Sequence, residues 1–112
     1  MLIDVRDVIA LSAFHFIADF VLQSERMAVN KSKQWRALTE HVLTYSAVFW
    51  ILCGWKFALI TFGCHFLTDA ATSRVNAKTW ANKNTHWFFV GVGFDQWTHL
   101  VQLTLTYAYL NK

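Results

Sequence analysis

The 112-residue sequence contains no proline and only four glycines. That excludes collagen-like and proline-rich low-complexity chains, and leaves little to interrupt helices. Charge is scarce as well. Charged residues make up 15 % of the chain, against about 25 % in ordinary globular domains, which excludes disordered segments and coiled coils. The two cysteines, Cys53 and Cys64, lie in apolar stretches without a CxxC spacing. They make no disulfide scaffold and read as inert buried thiols. The N-terminal Asp4, Arg6 and Asp7 carry no cleavage-site pattern, so this end is expected to belong to the mature protein.

What is abundant is apolar. Hydrophobic residues reach 55 % and aromatics 17 %, with ten Phe and six Trp, and the mean hydropathy is +0.30. The length predicts one domain over residues 1–112. A soluble domain this small keeps much of its surface wet, so the composition predicts a membrane protein with polar residues inside its apolar segments. The net charge of +3 raises the question of nucleic acid. The basic residues cluster in two short segments, Arg26 to Arg36 and Arg74 to Lys83, rather than along one helix face, so no specific nucleic acid is expected.

Four apolar stretches, about 8–23, 37–53, 55–73 and 86–110, alternate with these polar segments. None shows period-two alternation, so helices are predicted. Against the roughly 17–25 residues a span requires, the first is marginal and the last is ample. Gly54 marks a tight turn between the second and third. The predicted fold is all-α, a four-transmembrane-helix bundle with both basic segments on one side and both termini on the other. The positive-inside rule places the basic side in the cytoplasm and the termini outside it. A soluble bundle that is apolar all round is the alternative.

Ionisable residues interrupt the apolar runs: His15 and Asp19, His41, His65 and Asp69, Asp95 and His99. Such groups are costly within a span and mark a functional site by default. His15–Asp19 and His65–Asp69 are HxxxD pairs, and Asp95–His99 is the reverse. Residues four apart share a helix face, so each pair presents a nitrogen and an oxygen to a common centre, as in the metal sites of helix bundles. Imidazole with carboxylate suits zinc, manganese or iron. All seven fall at comparable depth toward the basic side. The predicted ligands are therefore His15, Asp19, His41, His65, Asp69, Asp95 and His99, with Asp19, His41 and His99 also candidates for acid–base catalysis. Gln23, Gln96 and Arg74 border the cluster as orienting groups, Arg74 also being suited to an anionic head group. His86, beside Trp87, is read as solvated. Gly91 and Gly93 are read as allowing close helix approach. A metal-free hydrogen-bonded network and a proton relay are the competing readings of the cluster.

The strings HFIADFVLQSERMAVNK (15–31), ALTEHVLTYS (37–46), HFLTDAATSR (65–74) and FDQWTHL (94–100) resemble, in order and over nearly the whole chain, a family of small membrane proteins. It is the domain of unknown function numbered 3307, with members in bacteria and phages. The resemblance carries the family positions onto His15, Asp19, Gln23, His41, His65, Asp69, Arg74, Asp95, Gln96 and His99. The family pattern has a lysine ahead of the arginine after the second HxxxD, where this chain has Ala71 and Thr72. It implies a multi-pass protein of the bacterial inner membrane, but no chemistry.

The functional expectation is a metal-dependent hydrolase. The alternatives are a component of a metal-ion or proton pathway, and a non-catalytic phage or bacterial interaction protein with a structural His/Asp core. Expected partners are the lipid bilayer, anionic lipid head groups or a membrane partner at the basic segments, with a homo-oligomer as a further option.

Overall fold

The computed structural model describes residues 3–111 and is all-α, with no strand among them. Helix α1 (Val5–Phe16) starts where the Asp4 side chain accepts a hydrogen bond from the Arg6 backbone N–H. It runs into a π-helical turn over Ile17–Val21, with the Leu22 N–H bonded to the Ile17 carbonyl five residues back. The short α2 (Glu25–Asn30) is capped by Ser24, whose hydroxyl accepts from Met27 N–H. Three long helices follow: α3 (Trp35–Cys53), α4 (Trp55–Ala81) and α5 (Thr85–Leu110).

Helices α3 and α4 are joined by Gly54 alone, at φ 93° and ψ 171°, a conformation open essentially only to glycine. Helix α4 continues to Ala81, well past Ser73 where the apolar stretch ends. No Gly or Pro stands between them, so a polar, helix-compatible run simply propagates the helix. The turn comes at residues 82–84, where Lys83 takes φ 58° and Asn84 caps α5.

The interior is layered in steps of four residues on α1, α3 and α5, while on α4 buried Thr61 stands between Phe57 and His65. Leu11, Phe49, Phe57 and Leu103 form an apolar cluster at one end. His15, Tyr45, His65 and His99 form the next layer, followed by Asp19, His41, Asp69 and Asp95, and all of these are buried. Many large apolar side chains point outward instead, Ile51 and Leu67 being 84 % and 73 % exposed.

No helix of the described residues is long and apolar enough to cross a membrane. This overturns the expected four-transmembrane bundle, its multi-pass inner-membrane location and the inside–outside assignment of its termini. The physical reason lies in the layering. Helices α4 and α5 have the length of a span, but their inward turns carry His, Asp, Gln, Thr or Ser, so no continuous run of about 20 predominantly apolar residues exists. Of the two glycines read as close-approach points, only Gly91 abuts another helix, at the Asn76 carboxamide; Gly93 faces open space.

Candidate metal centre

Five helical segments converge on the polar layers. The π turn carries Asp19; α3 carries His41 and Tyr45; α4 carries His65 and Asp69; α5 carries Asp95, Gln96 and His99; α1 carries His15. Single π turns inside α-helices recur at functional sites because they re-aim one side chain. Here the turn holds Asp19 with its carboxylate against α3.

The tightest group is formed by Asp19, His41 and His65. The two Nε2 atoms of His41 and His65 lie 3.2 Å apart. Asp19 Oδ1 is 3.0 Å from His41 Nε2 and 3.8 Å from His65 Nε2. Asp69 Oδ2 stands 3.4 and 3.9 Å from the same two nitrogens. Two nitrogens bound tetrahedrally to one zinc at 2.0–2.1 Å are separated by roughly 3.3 Å, so Asp19, His41 and His65 have the spacing of a coordination shell, with Asp69 beside it. A second group, His15, Asp19 and His99, shares the Asp19 carboxylate.

The two groups differ in how their atoms are occupied. Asp19 Oδ1 and Asp69 Oδ2 are buried and face the His41 Nε2, Asp69 also facing Lys31, while the Nδ1 atoms of His41 and His65 and both ring nitrogens of His99 are buried without a hydrogen-bond partner. His15 is fully engaged: Nδ1 meets the Tyr45 hydroxyl at 2.7 Å and Nε2 meets Gln96 Oε1 at 2.6 Å. Gln96 Nε2 donates to Asp19 Oδ2 and Asp95 Oδ2 at 3.2 and 3.1 Å. Its oxygen must therefore accept from His15 Nε2–H, and Tyr45 donates to Nδ1. Gln96 thus orients two carboxylates and an imidazole at once. The centre that stands ready for a cation is Asp19–His41–His65, with Asp69 beside it.

Electrostatics separate the carboxylates. Burial alone would raise the Asp19 carboxyl, but the His41 hydrogen bond and the charges of His65 and Lys31 outweigh it and hold the group well below the usual range. Asp69 is raised because burial outweighs the attraction of Lys31 and His41. Burial lowers His65, with His99 and His41 adding to the effect, and burial also lowers His15. Neutral imidazole is the form that binds a metal.

Asp95 lies at the edge, accepting from the Thr72 hydroxyl, and its Oδ2 is 3.4 Å from His99 Nδ1. Gln23 is near the cluster, its Oε1 buried and unpartnered. Arg74 is not brought in: its guanidinium lies 4.1 Å from the Trp35 ring centroid and donates to the Ala70 carbonyl. His86 is exposed, edge-on to Trp87. The basic segment 24–36 is partly committed to ion pairs, Arg26 and Arg36 with Glu40.

Two contributors escaped the sequence reading. Tyr45 stacks on His65 with ring centroids 3.9 Å apart, and His65 stacks on His99 at 4.1 Å. Tyr45 follows His41 by four residues, so the spacing that marks the pairs also marks it. Lys31 reaches from beyond α2 to within 3.3 Å of both Asp69 oxygens, a contact made by folding that no local spacing announces.

Fold and site together define an all-α bundle with a buried histidine–carboxylate centre able to hold a metal ion. The chain belongs to the family described as protein of unknown function (DUF3307), which it matches over residues 8–112. No curated protein and no solved structure matches the chain.

Proposed function

We propose that the chain is a metal-dependent hydrolase, with a divalent ion held by Asp19, His41 and His65 and with Asp69 as a fourth ligand or base. Zinc is the first choice and manganese or iron the alternatives, given two imidazoles with carboxylates. The observation that carries this reading is the convergence of Asp19 Oδ1 and the Nε2 atoms of His41 and His65, all three residues buried, at coordination spacing. The bound ion would supply a water acidified toward a pKa of about 7. The chain's own part is to fix the ligands through Gln96 and Tyr45, and to offer Asp69 or Asp95 as proton acceptor where the cavity reaches them.

A through-pathway for ions finds less support, because the layer of Leu11, Phe49, Phe57 and Leu103 closes the opposite end. The test is a panel of phosphoester and amide substrates with zinc-loaded protein. Turnover that disappears with a chelator and in His65→Ala supports the proposal. Turnover unchanged in His65→Ala, or no turnover in protein that retains its metal, overturns the hydrolase reading.

A further inference from the structure

Above the carboxylates lies a cavity of about 680 Å³, within the roughly 300–1,000 Å³ usual for small-molecule sites. Its floor is formed by Asp19, Asp69, Asp95 and Gln96, with the histidine rings behind them, and Lys31 and Lys33 stand at its wall. The Lys31 side chain is 18 % exposed, so its ammonium faces the interior of the cavity rather than bulk water. The remaining wall is largely apolar, with Trp80 and Phe88 in contact at a ring-centroid distance of 5.0 Å.

The charges lining this space lead to a specific ligand. Three carboxylates face two ammonium groups, so the cavity by itself is net negative by one and repels anions. A single divalent cation at the Asp19–His41–His65 centre reverses the balance to plus one. It also takes over the neutralisation of Asp69, which Lys31 now performs, and leaves the Lys31 ammonium free to donate into the cavity. A metal ion with the Lys31 ammonium beside it, and Lys33 at the same cavity wall, match an oxyanion, and the aromatic wall matches an apolar substituent.

We propose that the cavity binds a phosphomonoester-type anion bearing a compact apolar group, and that it does so only when the metal centre is filled. This rests on the metal reading above. The probes are phenylphosphonate and methylphosphonate, measured by calorimetry on zinc-loaded and chelator-stripped protein, with zinc content determined on every sample. Phenylphosphonate should bind the loaded protein at least about tenfold more tightly than the stripped protein, and about tenfold more tightly than methylphosphonate binds. Lys31→Met should weaken phenylphosphonate about tenfold with zinc content unchanged. Because Lys31 also pairs with Asp69, the exposed Lys33→Met serves as the second variant, with a loss in the same direction. Phe88→Ala should narrow the preference for phenyl over methyl.

Zinc retained without phosphonate binding, binding equal with and without zinc, or benzyl alcohol binding as tightly as phenylphosphonate would overturn this proposal while leaving the metal centre standing. Protein that retains no zinc would overturn the metal reading and this inference with it.

Discussion

His15 and His65 are held below their ordinary value of 6.5 chiefly by burial. Unfolding restores that value, so below pH 6.5 the unfolded chain takes up protons that the folded chain refuses. The metal-free protein should therefore lose stability as pH falls from about 6.5 to 5.5. The raised Asp69 acts in the opposite sense, gaining its proton more readily when folded, but it is one carboxyl against two imidazoles. Urea midpoints at the two ends of that range decide the matter: a lower midpoint at the acid end is expected, and an unchanged or higher one contradicts the buried neutral histidines. Gln96 is the other residue on which the site turns, because its single carboxamide fixes His15, Asp19 and Asp95. The HxxxD and DxxxH spacings picked out residues that the fold gathers in its buried layers. They could not reveal that His15 is already engaged by Tyr45 and Gln96 while His99 has both nitrogens open, because that depends on how four helices meet.

Among the elements, the Gly54 joint and the π turn set the geometry. A methyl group added at Gly54 would meet nothing within 4 Å, but the residue sits at φ 93°, so Gly54→Ala should cost about 1–3 kcal/mol through backbone strain alone. Gly63 and Gly93 lie inside helices with open space around them, and alanine there should be neutral or stabilising by up to about 1 kcal/mol. Denaturant unfolding of the three variants checks the contrast; equal effects would contradict it. The Gly54 turn was legible because a lone glycine separates two apolar runs. The extension of α4 to Ala81 was not, since hydropathy registers only where a helix stops being apolar. The π turn left no mark either, as its sequence IADFV reads as ordinary helix.

Over the whole molecule, polarity is graded along the bundle, from an apolar end through aromatic and imidazole groups to carboxylates and the cavity. Stability and chemistry are thereby separated. Phe49→Ala in the apolar layer should cost about 3–5 kcal/mol in urea unfolding while leaving metal content per folded molecule unchanged; a loss of metal without loss of stability would contradict the separation. The all-α class and the gathering of the His/Asp residues could be read from the sequence. The membrane expectation failed because composition averages over the chain. It does not register that the four-residue repeat of His, Asp and other polar groups interrupts each long helix. The chain is thus apolar on average, yet no helix of the described residues is long and apolar enough to cross a membrane.

The most direct measurement is the metal content, by mass spectrometry, of untagged wild-type protein beside His41→Ala and His65→Ala. At least one equivalent of zinc, manganese or iron in the wild type, lost in both variants while their helical signal persists, is the predicted result. A folded wild type that holds no divalent ion, even after reloading with each of the three, would contradict the metal centre.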